Sequence, residues 1–248
     1  FVYASQLLQA DGIRYGVEHY RRNRGRCMGA IYWQLNDCWP VISWSSIDYY
    51  GRWKALHYYV KRFFAPVMLS CEEQSWMTVE ADMNRQHFEF EKSIRLNVTN
   101  ETLDAHRVLV KWAVRKTDAT ILREEEQWLE VPALSAVWMD KVELPQIDCF
   151  NEYVSYEAWE NDQIISQGTV IFSYPKYFHY LNPGLAVRVD GDEIVVKAEA
   201  YAKSVEIRNE NDDLILEDNY FDMNAGEYRV KILDGKPDGL KVRSVYDI

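Results

Sequence analysis

No stretch of this sequence is long and apolar enough to span a bilayer as a helix. The chain opens on Phe1-Val2-Tyr3-Ala4, without the charged n-region of a secretory signal and without an initiator methionine, so we expect it to start inside a longer protein. Positive charge is in deficit. Against 39 aspartates and glutamates stand 28 lysines and arginines, a formal net charge of −11, the opposite of what a nucleic-acid-binding surface needs. The one basic cluster, Arg21, Arg22, Arg24 and Arg26, falls where a helix should end, and cations there face the negative end of the helix dipole. The four cysteines, Cys27, Cys38, Cys71 and Cys149, are spaced for neither a zinc site nor a redox pair and read as free thiols. Internal repeats and low-complexity tracts are missing as well. The expected partners therefore include neither nucleic acid nor a membrane, and no metal or other cofactor is expected. The compartment is not fixed by these features, and a bacterial cytoplasmic setting is expected over a secreted or lysosomal one.

What the chain does have is aromatic residues, 14% of the total. They concentrate in residues 26–64, RCMGAIYWQLNDCWPVISWSSIDYYGRWKALHYYVKRFF. Tyr32, Trp33, Trp39, Trp44, Tyr49, Tyr50, Trp53, Tyr58, Tyr59, Phe63 and Phe64 surround the tetrad Gln34-Leu35-Asn36-Asp37. Aromatic faces cover the apolar C–H faces of a pyranose ring, and amides and carboxylates bind its hydroxyls, so the composition suits a sugar site. An aromatic core seam would have the same composition, and composition alone leaves that alternative open.

The order of residues adds to this. Gly29-Ala30-Ile31-Tyr32-Trp33-Gln34-Leu35-Asn36-Asp37, then Trp39, then Ser43-Trp44-Ser45-Ser46-Ile47-Asp48-Tyr49, then Gly51-Arg52-Trp53-Lys54 and Leu56-His57-Tyr58 resemble the end of the catalytic barrel in β-mannosidases of glycoside hydrolase family 2. The resemblance continues weakly to the C-terminus and corresponds to the C-terminal part of such an enzyme. It implies that Trp33 is a platform for the sugar being cleaved and that the loop from Asn36 to Trp39 walls the pocket, making Trp33, Asn36, Asp37 and Trp39 the expected substrate-binding residues. Asn36 and Asp37 could equally cap their own loop, as such residues often do after a strand. Related barrels often carry a non-proline cis peptide after the tryptophan that ends strand eight, here Trp33–Gln34, although the strands that would enforce it are not in this chain. His57, Trp44 and Trp53 read as packing residues.

Residues 1–25 read as a helix, with Leu7, Ala10, Ile13, Val17 and Tyr20 recurring at spacings of three and four. Gly12 and Gly16 weaken its propensity, by about 1 kcal/mol each relative to alanine. Residues 29–35 form an almost uninterrupted apolar run, as a strand covered on both faces does. Lys54 to Phe64 reads as a second helix ended by Pro66. Helix, strand, loop and helix make the closing unit of a (β/α) TIM barrel, whose full form takes about 250 residues.

After Pro66 short alternating runs follow: Trp76–Ala81, Ser93–Thr99, His106–Arg115, Val137–Leu144, Tyr153–Trp159 and Ile164–Phe172, with a hairpin turn at Asn161-Asp162. The turn-rich segment from Tyr174 to Gly184 marks a boundary. Beyond it come Leu185–Val189, Ile194–Ala200, Ser204–Arg208, Leu214–Glu217, Glu227–Leu233 and Leu240–Val245. The expected architecture is multidomain: a truncated barrel end in residues 1–65 and two antiparallel immunoglobulin-like β-sandwiches in 66–173 and 174–248.

A retaining glycosidase needs two carboxylates about 5 Å apart. In the family resembled both are glutamates on earlier barrel strands, and their motifs do not occur in residues 1–25. Glu18 reads as a solvated helix charge and Glu124-Glu125-Glu126 as a solvated face or turn. The expected catalytic residues therefore lie upstream, and the chain is expected to be the inactive C-terminal portion of a retaining exo-acting β-mannosidase for terminal β-D-mannosides, its partner a β-mannoside or oligosaccharide. The alternatives are a carbohydrate-binding or structural β-sandwich module, or another family 2 glycosidase of the β-galactosidase or glucuronidase type. A binding module would expose a row of aromatics on one sheet face. Trp112, Trp128, Trp138 and Trp159 are the candidates, although alternation points most of them inward. Residues 1–65 should pack on the first β-domain through the second helix. Ile31, Tyr32, Trp33 and Leu35, with Ile13 and Val17, should be left open to water, so that copies of the chain self-associate. The sequons Asn97-Val98-Thr99 and Asn100-Glu101-Thr102 matter only in a host that glycosylates.

Overall fold

The computed structural model describes residues 1–79 and 90–248. They form two compact units: residues 18–28 with 65–179, and residues 1–17 with 29–64 and 180–248. Residues 1–65 thus do not stand as a unit of their own. Two α-helices are present among the described residues, α1 (Val2–Arg22) and α2 (Ala55–Phe63), close to the spans the periodicity predicts.

The unit of residues 18–28 and 65–179 is a β-sandwich. Its strands are β1 (Val67–Gln74), β2 (Ser93–Asn100), β3 (His106–Lys116), β4 (Ile121–Val131), β5 (Ser135–Trp138), β6 (Val142–Glu143), β7 (Glu152–Glu160) and β8 (Gln163–Ile171). One antiparallel sheet runs β1-β2-β5 with β6 also on β2, and the other runs β4-β3-β7-β8. Alternate residues face inward, as the pleat requires. Leu69, Cys71, Ile94, Leu96 and Val98 from the first sheet meet Val108, Val110, Trp112, Val114, Val154, Tyr156, Ala158 and Val170 from the second. The β7–β8 hairpin turns at Asn161 and Asp162, both left-handed with φ of 50° and 60°, the conformation a two-residue type I′ turn demands.

Two expectations fail in this unit. The strand expected at Trp76–Ala81 is a turn from 75 to 79, and the rest of that stretch lies outside the described residues. The strand is instead β1, immediately after Pro66. Of the two readings for Glu124-Glu125-Glu126, the solvated face holds: the three glutamates are the middle of β4, a sheet-edge strand whose residues 121–128 are all exposed. Glu18 is buried rather than solvated, and of the basic cluster Arg21 and Arg22 are buried, Arg24 is half-buried and Arg26 is exposed. Arg22 is 3% exposed, lies 3.6 Å from Glu18 and donates to the Cys71 carbonyl at 3.3 Å. Arg24 donates to the Leu134 carbonyl at 2.6 Å and pairs with Glu101, while Arg21 stands 3.8 Å from Glu101. The cations at the end of α1 thus tie its last turn to β1 and the β2–β3 loop.

The other unit contains β9 (Ala186–Asp190), β10 (Glu193–Ala198), β11 (Ala202–Arg208), β12 (Ile215–Leu216), β13 (Phe221–Met223), β14 (Gly226–Asp234) and β15 (Lys241–Arg243). They make two sheets, β12-β14-β10-β9 and β13-β11-β15. Against them pack α2 and the start of α1. Arg62 donates to Asp218 at 2.7 Å and to the Asn219 and Tyr220 carbonyls at 3.2 and 3.0 Å, with its guanidinium 4.5 Å over the Tyr59 ring. Tyr3 donates to the Ser204 carbonyl at 2.5 Å. Burial raises the Tyr58 and Tyr59 hydroxyls to about 12. The second helix therefore docks on the C-terminal β-domain rather than on the first, because the Tyr58 hydroxyl accepts from the Leu216 N–H and its ring meets Tyr220, while the Tyr59 hydroxyl meets that of Ser204.

The strand expected at 29–35 is not formed. An apolar run becomes a strand only beside another strand, and among the described residues no strand pairs with it. Ile31 is 99% exposed and Leu35 54%, whereas Val17, expected to be open, is 5% exposed and Ile13 is half-buried.

Candidate functional site

The loop of residues 29–54 is built by backbone bonds that replace a sheet. Ser46 and Ile47 donate to the carbonyls of Gln34 and Leu35 at 3.0 and 2.8 Å, and Asp37 donates to the Ile47 carbonyl at 3.2 Å. The result is a single parallel bridge between Asn36 and Ile47, with Trp53 bridged to Ile47 on the other side. The Trp33–Gln34 peptide is cis, as the resemblance leads one to expect.

Asp37 holds this loop from inside. It is 6% exposed, and its carboxylate accepts from the Ser43 hydroxyl at 2.6 and 2.8 Å and from the Ser45 hydroxyl at 2.6 Å. Lys54 stands 3.9 Å from the carboxylate and donates to the Ser45 hydroxyl at 2.9 Å and the Ser43 carbonyl at 3.3 Å. The Ser43 and Ser45 hydroxyls hold Asp37 below the usual carboxylate range, with Lys54 adding to the effect. Burial lowers the Lys54 ammonium from its ordinary value. Of the two roles the sequence left open for Asp37, this arrangement is that of a loop anchor. Its partners Ser43, Ser45 and Lys54 escaped sequence reasoning, although the Ser-Trp-Ser alternation, which sends both serines to one side, was the available signal.

The other expected residues face water. Trp33 is 71% exposed and Trp39 65%, and Asn36 is exposed with its amide donating to the Asp37 carbonyl at 3.3 Å. Trp44, read as packing, is 60% exposed, and its carbonyl accepts from Gln9 at 2.7 Å. Trp53 does pack, 4.5 Å from His57 and 5.5 Å from Tyr58 between ring centres. Beneath the loop the Ser46 hydroxyl meets the Tyr32 hydroxyl at 3.0 Å and His57 Nδ1 at 3.2 Å, and donates to the Leu35 carbonyl at 2.9 Å. Burial lowers the pKa of His57, which favours the neutral ring. The site thus pairs open indoles and an amide with a satisfied polar underside, which suits binding a hydroxylated ring.

A polar cleft of about 550 Å³ in the same unit was not anticipated. Its carboxylates are paired with arginines: Asp48 with Arg52 at 2.6 Å, Asp212 with Arg208 at 2.7 Å, and Glu206 with Arg243. Such a lining is internally neutralised. Among the described residues no cluster of histidine, cysteine and carboxylate side chains could hold a metal ion.

Residues 92–177 match the family described as Mannosidase Ig/CBM-like domain, and residues 180–248 match an Ig-fold domain family of mannosidases. The chain is 29% identical over 269 aligned positions to β-mannosidase B of Thermothelomyces thermophilus, an alignment that takes in 99% of this chain and 31% of that protein. The chain resembles the C-terminal part of β-mannosidases of glycoside hydrolase family 2. Goat β-mannosidase is 49% identical over 74 residues, 27% of this chain and 8% of that one. The crystal structure of a β-D-mannosidase from Dictyoglomus thermophilum superposes with a TM-score of 0.78 at 24% identity, over 98% of this chain and 29% of that chain, which shows a shared fold. The chain spans less than a third of the length of each of these three β-mannosidases.

Proposed function

We propose that this chain is the C-terminal portion of a retaining, exo-acting β-mannosidase that hydrolyses terminal β-D-mannosides. In this reading residues 1–65 are the end of the catalytic barrel, followed by two β-sandwich domains. Trp33 stacks on the sugar being cleaved, Asn36 and Trp39 line its pocket, and Asp37 fixes the loop that carries them. The acid/base and nucleophile glutamates are supplied by the preceding part of the enzyme, and this chain alone does not hydrolyse the substrate.

The observation that supports the reading is the exposure of Trp33 on a loop whose anchor is internally satisfied. An indole open to water on a fixed backbone is a stacking platform held ready, so little entropy is lost when a sugar lands on it.

The test is p-nitrophenyl β-mannoside hydrolysis by the full-length enzyme and its Trp33→Ala variant. The variant should lose at least about tenfold in kcat/KM, equivalent to about 1.4 kcal/mol of transition-state binding, while its fold is retained. The 248-residue chain assayed alone should not exceed the buffer rate. Normal kinetics in the variant would reduce Trp33 to a surface residue, and turnover by the pure chain would refute the upstream location of the carboxylate pair.

A further inference from the structure

We propose that the solvent face of the sheet β4-β3-β7-β8 binds an extended, neutral, β-linked oligosaccharide. Because Val108, Val110, Trp112 and Val114 of β3 point into the core, Arg107, Leu109 and Lys111 point out. Register then builds a row across four strands. Leu109 lies opposite Trp128 on β4 and opposite Trp159 on β7, and Trp159 lies opposite Ile164 on β8. Trp128 is 54% exposed and Ile164 43%, and Trp159 is half-buried. Of the four tryptophans the sequence offered for such a row, Trp128 and Trp159 are on it, whereas Trp112 is buried in the core and Trp138 is on the other sheet.

The spacing of the two indoles selects the ligand. Their strands flank β3, so the two backbones are about 10 Å apart, twice the interstrand distance. In an extended β-linked chain, every second ring recurs on this length scale and turns the same C–H face to one side. The indoles are also held in place. Arg107 sits 4.6 Å over Trp128 and Lys111 5.3 Å over Trp159, and the Trp159 N–H donates to Glu157 at 2.8 Å. Rings fixed beforehand stack at little entropic cost.

The next row supplies polar groups. Lys111 lies opposite both Glu126 and Glu157, with its ammonium 3.6 Å from Glu126. Charges of both signs that already neutralise one another select no ion, but they accept and donate hydrogen bonds to hydroxyls. A protein partner would have to desolvate this fringe, whereas a hydroxylated chain replaces its water contacts one for one. The surface shares no residue with the loop of residues 29–54.

The test is calorimetric titration of the 248-residue chain with mannohexaose and cellohexaose, which share the extended geometry, and with maltohexaose, whose α-linked chain curls. Variants are Trp128→Ala, which removes an exposed ring without touching the core, Trp159→Ala and Trp33→Ala, with thermal unfolding followed for each. Saturable binding of at least one extended hexaose is expected, weakened at least about tenfold by Trp128→Ala, retained in Trp33→Ala and lacking for maltohexaose. Should Trp159→Ala fail to fold, Trp128→Ala alone decides. Absence of saturable heat would overturn the proposal, as would equal binding of maltohexaose or loss of binding only in Trp33→Ala. A dimer dispersed by Trp128→Ala and indifferent to sugar would overturn it in favour of a protein interface. None of these measurements reads hydrolysis, so the outcome is independent of the proposed activity.

Discussion

Substituting Gly168 by alanine should loosen the sandwich of residues 65–179, for a reason visible at a single cross-strand pair. Gly168 lies opposite Tyr156 in the β7–β8 ladder, and the tyrosine, 3% exposed, covers it. A Cβ on Gly168 would stand 2.5 Å from the phenolic oxygen, 2.6 Å from the ring Cζ and 2.9 Å from Cε2. A ring cannot fold away as a lysine tip can, so either the tyrosine turns into the packed core or the edge strand β8 moves out. Overpacking of this kind costs about 1–3 kcal/mol, and replacing a strand glycine by alanine returns about 0.5–1. The expected net loss is about 1–2 kcal/mol, which lowers a urea midpoint by about 0.5–1 M when the slope is about 2 kcal/mol per molar. The control is Tyr156→Val, which costs stability by itself through the cavity it leaves. In that background Gly168→Ala should be neutral or stabilising, and the cycle isolates the clash. An unchanged midpoint in Gly168→Ala, or an equal loss in both backgrounds, would refute the reasoning.

Two further outcomes follow from buried polar groups. The Ser43 and Ser45 hydroxyls depress the Asp37 pKa, so the stability it contributes is fully present above its unfolded value of about 3.9 and is lost as pH falls through the lower folded value. Near-UV circular dichroism of the loop tryptophans should therefore fall in acid below the ordinary carboxylate range. In Asp37→Asn the signal should already be reduced at neutral pH and flat through that window, and an acid transition unchanged in Asp37→Asn would refute the assignment. Asn100→Ala should cost about 1–3 kcal/mol in urea unfolding, since the amide donates to the carbonyls of Asp104, Val131 and Pro132 while its oxygen accepts from the Thr102 N–H and hydroxyl. A loss under about 0.5 kcal/mol would mean that water replaces these bonds.

The sequence was legible wherever one face of an element is buried and the other is wet. The spans of β2, β3, β7, β8, β10 and β14 lie close to the alternating runs, because period-two burial leaves a period-two pattern. Strand β4 was not legible as a strand: at a sheet edge both faces of residues 121–128 stay in water, so Glu124-Glu125-Glu126 carries no alternation. Strand β1 was missed because polar groups sit at buried positions. Ser70 and Glu73 are 0% and 7% exposed and blur the contrast that the pattern needs. Glu18 reads as solvated by the same logic, since charge near a helix end looks alike whether it meets water or a buried partner, here Arg22 at 3.6 Å.

The loop of residues 29–54 shows the limit from the other side. Its residue order is distinctive enough to carry a family resemblance, yet neither its secondary structure nor the job of Asp37 could be read from it. An apolar run such as Ile31 to Leu35 states what the segment packs against in its full surroundings, not what it does beside the strands of this chain, and here Ile31 and Trp33 end in water. Asp37 is the converse case. A carboxylate next to an exposed amide and two indoles invites a role as ligand, but two hydroxyls and an ammonium placed six to seventeen residues later already occupy it. Once those partners are known, the division of labour is physical: the residue that fixes the loop has to be satisfied from within, and under the proposed function the contact with sugar falls to exposed residues, Trp33 and Trp39 foremost.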